Sequence, residues 1–465
     1  MRETTMIEAR LTYELGTWTW NSPRTMEGGA TFVPAGQLSG WWAHALDPSR
    51  PIAWECDDMD GPEVFAACFG DEWVEKARAT LAGGEECHAP HLKPPALAPH
   101  FTRVVVVRSL SQWDPRPIDI AALRVDEALA WDAAGDEVRA AAGIVVGASA
   151  LSAISHALIS ARRGESMAVI PHFAHPDIER ALHLALRLLP EQDEDRAVLA
   201  ELADAIDPSL ERDGGLAAQA EQWLAGLAAP AGSLALVAGA QRAKIELLPL
   251  DPASVSPRIA AWRGPFGTEL AATREGDTLT VSIELADGVD PEDREVRDLI
   301  AFSCDPDTGD ILERAAMVVR HANVVSAQLA SPADRALAIG VFELSRADAL
   351  RTNPLGRYLA RLDRLGIGLL TALRTRALTK TVGGGNPQAQ ANHDAAEALA
   401  KECRASGKAL IAQVVHGDEL LKGDDVAVLT SRYRHLLDRE DNDTAAVTLT
   451  IAEAMLLVAP TAPAA

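Results

Sequence analysis

The order of apolar and polar positions divides the chain into strand-like and helix-like stretches. Residues 7–15, IEARLTYEL, alternate apolar with polar side chains, the period-two pattern of a half-buried strand. Further strands are predicted at 103–108 (RVVVVR), 167–171, 234–250, 278–285, 299–304 and 338–344. The run DPDTGD at 305–310 parts two apolar stretches and predicts a hairpin turn. Helical spacing is predicted near 62–81, 122–161, 176–206 and 214–228, and over almost everything after Arg346. The chain therefore reads as α+β, a mixed body of interleaved strands and helices with a largely helical C-terminal part. Shifts in composition place soft boundaries that give a Trp-rich N-terminal α+β domain (1–165), a middle α+β domain (166–345) and a helical domain (346–465).

One stretch tests whether the protein crosses a membrane. Residues 140–161, AAAGIVVGASALSAISHALISA, carry no formal charge and hold Gly143 and Gly147 at a spacing that lets helices approach closely. Four serines, His156 and many alanines insert poorly into hydrocarbon, so the reading is a tightly packed core helix and no membrane partner. With 465 residues, 48% hydrophobic and 24% charged, the chain has the make-up of a soluble globular protein. Lys plus Arg number 43 against 67 for Asp plus Glu, a formal charge of -24, so binding to nucleic acid needs a local basic patch. Five cysteines without tight pairing suit a reducing cytoplasm, and the N-terminus shows no apolar leader.

A basic patch is present in the sequence. Residues 346–380 hold eight basic and two acidic side chains. Arg357, Arg361 and Arg364 fall at i, i+4 and i+7, one helix face, and Arg374, Arg376 and Lys380 extend the strip. These six are the candidate contacts to an anion or nucleic acid, RNA included; the competing reading pairs them with the protein's own acidic helices. The downstream Gly383, Gly384 and Gly385 do not form a phosphate loop, because they follow a helix and no Lys-Ser or Lys-Thr follows them. Asn386 and Pro387 read as a helix start.

Other candidates are scattered. Cys87, His88, His91 and His100 supply zinc-type ligands, although their spacing matches no structural zinc pattern. His172 and His175 form a second cluster at a predicted strand-to-helix junction. No G-x-S-x-G, H-E-x-x-H or strand-linked G-x-G-x-x-G is present. Six of ten tryptophans lie in the first 73 residues, and Trp18, Trp20, Trp41 and Trp42 are the candidate partner surface.

The segment FVPAGQLSGWWAHAL at 32–46, after a first strand and before EVFAACFGDE at 63–72, resembles the start of the RAMP proteins of CRISPR effector complexes. Pro34, Gly36, Leu38 and Gly40 carry the resemblance over about seventy residues; Ala35 replaces the family's first glycine, and Trp41 and Trp42 stand where a basic residue is usual. The resemblance implies a ferredoxin-like unit, a helix starting near Pro34, and a subunit role. The function expected is a non-catalytic recognition or structural subunit of a larger cytoplasmic protein or ribonucleoprotein assembly, with other protein subunits as partners. The alternative is a metal-dependent hydrolase built on the Cys/His/carboxylate cluster, with zinc as its cofactor.

Overall fold

The structure is a computed structural model. It describes six N-terminal strands within 10–57 and 87–88, isolated positions between 71 and 79, and then 97–206, 245–438 and 449–456 apart from short breaks. The strands are β1 (Arg10–Glu14), β2 (Thr17–Asn21), β3 (Ala30–Pro34), β4 (Gly40–His44), β5 (Asp47–Asp57) and β6 (Cys87–His88). They form one antiparallel sheet in the order β3-β4-β5-β2-β1-β6. A ferredoxin-like unit needs a helix between its first two strands, whereas only residues 15 and 16 separate β1 from β2. The helix that the resemblance implied near Pro34 is likewise replaced by a strand pair, with Pro34 opposite Gly40.

The run RVVVVR is helical, not extended. It lies in α1 (Pro99–Trp113), where Pro99 sits in the first turn and Val104 to Val107 are all buried. A short apolar run fits a buried helix and a buried strand equally by pattern, and burial on several sides decided here against valine's strand preference. α1 lies on the first sheet, where Thr31 Oγ1 and Ser109 Oγ are 3.0 Å apart.

Four more helices complete this layer: α2 (Ile120–Ala133), α3 (Glu137–Arg162), α4 (His175–Leu188) and α5 (Glu194–Ala205). Asp119 caps α2 by accepting from the N–H groups of Ala121 and Ala122. The uncharged stretch forms α3, the one helix among the described residues long and apolar enough to cross a membrane. Over half of its most apolar window, 56%, is buried inside the protein, which is the packing of a core helix. Its two glycines face α2. A Cβ on Gly143 would lie 2.7 Å from the Arg124 carbonyl oxygen, and one on Gly147 2.5 Å from a Val125 methyl. Gly143→Ala and Gly147→Ala are each expected to cost about 1–3 kcal/mol by overpacking. Urea melts check this, and unchanged midpoints for both would show that the helices do not approach so closely.

The core of this layer joins Val125, Ile144 and Leu151 to Ile178, Leu182 and Leu199. α4 and α5 pack on α3, so this core includes residues on both sides of position 165.

The middle sheets use β7 (Ile245–Leu247), β8 (Leu270–Glu275), β9 (Thr278–Glu284), β10 (Leu299–Cys304), β11 (Ile311–Ala316), β12 (Val318–His321), β13 (Val324–Ala330) and β14 (Leu337–Glu343). One sheet has the order β11-β10-β14-β7 and the other β12-β13-β9-β8, with β7 parallel to β14. Their facing sides share one core that includes Val281, Ile283, Ala301, Val325 and Val341. DPDTGD is a turn as expected: Asp305 accepts from the N–H groups of Asp307 and Thr308, and Gly309 takes φ +81°.

After Arg346 the described residues are largely helical, as expected: α6 (Pro354–Thr381), α7 (Pro387–Gly417), α8 (Gly423–Leu436) and the short α9 (Ile451–Met455). α6, α7 and α8 form a bundle around Leu362, Leu369, Cys403 and Leu429. Pro387 starts α7; the three glycines before it lie outside the described residues. α9 leaves the bundle and packs instead on α2, where Asp126 accepts from the N–H groups of Ile451 and Ala452.

Candidate functional site

The basic strip of α6 divides into side chains that turn inward and side chains that remain at the surface. Arg364 is only 1% exposed. It donates to both carboxylate oxygens of Glu269 at 2.9 Å and to the carbonyls of Leu250, Gly264 and Gly267. Its guanidinium also lies over the Trp262 ring, 4.4 Å from the centroid. Arg374 is buried against Glu453, which Arg116 also reaches at 2.8 Å. These two arginines are neutralised by the chain's own carboxylates and do not face an external anion. Arg357 is half-buried and shares Glu246 with Arg361. Arg361 is 42% exposed, Arg376 is half-buried near Glu397, and Lys380 is exposed. An i, i+4, i+7 spacing fixes a common face but not what covers it, and here the β7 edge and the 264–269 loop cover most of it.

Glu453 anchors the deepest of these clusters. Burial alone would raise its pKa, but Arg374 and Arg116 outweigh that and hold the carboxyl down to about 2. Arg116 is correspondingly raised: burial works against its charge, and Asp114 and Glu453 more than offset it. Asp126 goes the other way, because burial outweighs Arg103 and the two backbone N–H donors.

Where these parts meet, a cleft of about 1430 Å³ opens. One wall is the turn between α1 and α2, from Ser111 to Ile120; a second is the 256–262 segment with Asp293 and Glu295; a third is the face of α6 and α7 around Thr371 and Asn392. The cationic groups on its walls are Arg116, Arg124, Arg258 and Arg346. Arg116 pairs with Asp114 and Glu453, Arg124 with Glu127, and Arg346 with Glu343 at 3.2 Å. Arg258 differs. It donates to two carbonyl oxygens, Ser111 at 3.3 Å and Ile118 at 2.9 Å, and no carboxylate lies within 4.0 Å among the described residues. Burial lowers its pKa, opposed only at longer range by Asp114, Glu295 and Asp119. On the same cleft Thr371 Oγ1 is buried and has no hydrogen-bond partner among the described residues.

The other expected site residues are placed as follows. Backbone register sets Trp20 opposite Trp54 and Trp54 opposite Trp41, one row across three strands that continues to the buried Val33. Trp18 pairs with Tyr13 and Cys56, and Trp42 with Phe32 and Ala53. Cys87 and His88 form β6 opposite Leu11 and Arg10. His91 lies outside the described residues, while His100 is in the first turn of α1 beside Phe101, its pKa lowered by burial. No group of three His, Cys, Asp or Glu at metal-holding distance occurs among the described residues. His172 and His175 stand 5.0 Å apart between ring centroids, and the His175 ring nitrogen bonds the Ile170 carbonyl at 3.1 Å, which fixes the entry to α4.

The sequence reading missed Arg258, Trp262, Asp293 and Glu295. They come from short segments between strands, Asp293 and Glu295 from the start of a single helical turn (Arg294–Arg297), without periodicity, and only tertiary packing gathers them on one cleft. Comparison of the chain with protein-family models, curated proteins and solved structures gives no match.

Proposed function

We propose that this chain is a non-catalytic recognition or structural subunit of a larger cytoplasmic protein assembly, and that the cleft receives part of a partner protein. The observation that carries the reading is the cleft itself. At about 1430 Å³ it exceeds the ~300–1,000 Å³ of small-molecule sites. Its walls come from three separate parts of the chain and are pinned to each other by buried ion pairs such as Arg116–Glu453–Arg374. Its lining among the described residues holds no histidine or cysteine, and its charges are mixed in sign. Such a surface suits recognition by shape and charge. The inward turn of Arg364 and Arg374 removes the centre of the strip that was to grip RNA, so the reading rests on protein partners.

Native size decides the matter. Expressed at natural level, the 49.4 kDa chain is expected to elute from clarified lysate well above its own mass, with one or more protein subunits in fixed ratio. Elution as a monomer, with no stoichiometric companion by mass spectrometry, overturns the proposal.

A further inference from the structure

We propose that Arg258 is the anchor of the cleft for a single carboxylate, carried on a net-basic polypeptide segment whose lysines or arginines meet Asp293 and Glu295. The inference deepens the recognition reading above and rests on it. Buried arginines elsewhere in the protein, Arg116, Arg364, Arg374 and Arg432, all have carboxylates of their own. Half-buried Arg196 and Arg274 also meet only carbonyls, but they lie away from the cleft; of the four arginines on its walls, Arg258 alone has no carboxylate partner among the described residues. The two carbonyls hold the guanidinium in place and use two of its five N–H groups. The other three have no partner among the described residues, and a carboxylate would accept from two of them side by side.

The remainder of the cleft selects the rest of the ligand. Asp293 and Glu295 are exposed on its wall and have no ion pair among the described residues, since the intervening Arg294 pairs with Asp298. Two such charges, with Glu284 nearby, repel a dianionic phosphate but suit a carboxylate flanked by cationic side chains. The formal charge of -24 attracts a basic segment at long range. The Trp262 ring, with the Arg364 guanidinium over it, gives the same cleft an apolar surface.

The test uses the purified full chain and two fluorescent lysine-rich peptides that differ only in one central residue, Asp or Asn. The Asp peptide is expected to bind at least about tenfold tighter, and Arg258→Gln should abolish that preference. The double variant Asp293→Asn, Glu295→Gln changes only exposed side chains and should weaken both peptides. If Arg258→Gln does not fold, Arg258→Lys keeps the charge without the bidentate fork and should still reduce the preference. Equal binding of the two peptides, no binding of either, a preference that survives in the Arg258 variant, or displacement by inorganic phosphate overturns the inference. A lysate complex that persists in the Arg258 variant, beside peptides that fail, would sink this inference and leave the subunit reading standing.

Discussion

Glu453→Ala is expected to destabilise the protein by about 3–5 kcal/mol, the cost of leaving buried charges uncompensated. The side chain is fully buried and does three things at once. It accepts from Arg116 at 2.8 Å and from Arg374 at 2.7 Å. It also accepts from the backbone N–H and hydroxyl of Thr450, closing the capping box that starts α9. Without it, two buried guanidinium groups face each other across a cavity. The pH dependence follows from the depressed pKa. The folded-state carboxyl titrates near 2 against an ordinary 4.5, so its contribution is complete above about pH 4.5 and disappears as the pH falls toward 2. That contribution is about 3 kcal/mol. Urea melts of wild type and Glu453→Gln at a series of pH values should therefore converge in acid. A constant gap, or an alanine variant within about 1 kcal/mol of wild type, would show that the cluster is not the keystone described.

Arg364→Leu is the second large effect, again about 3–5 kcal/mol. It would strand the buried Glu269 and remove donors from three carbonyl oxygens. Arg361→Ala, three residues earlier, should change stability by less than about 1 kcal/mol, because its contact to Glu246 is 3.6 Å long and open to water. Removing Arg364 and Glu269 together, as paired leucines, should cost less than the single change. Chemical denaturation of the four proteins measures the set. Equal effects at 361 and 364 would mean that both side chains share the surface.

These two arginines also mark the limit of what the sequence could tell. Their shared helix face was legible from spacing. What lay against that face was not, since Glu269 sits 95 residues from Arg364, and Glu246 sits 111 residues from Arg357 and further still from Arg361. Glycines at 366 and 368, where a Cβ would lie 3.3 Å from Leu436 and 2.7 Å from Pro265, are the local signs that α6 is packed closely there. β9 was legible from its alternation, β10 and β14 from short apolar runs, and the DPDTGD turn from its residues, all of them local properties. For the same reason Gly143 and Gly147 announced the close approach of α2 and α3. Four consecutive valines in α1 and the strand pair holding Trp41 and Trp42 were not legible, because burial and pairing partners there overrode local preference. The cleft was invisible: Ser111, Arg258, Glu295 and Thr371 belong to no common pattern.

The contact between Arg116 and Glu453 spans 337 residues, which sets an order of events during synthesis. At ribosomal speeds of ~5–20 residues per second, the carboxylate follows the guanidinium by roughly twenty seconds to a minute. Until then the α1–α2 turn holds a cation whose counter-charge has not been made, with Asp114 its only nearby relief. The first helical layer can therefore gather early but cannot close until α9 has been made.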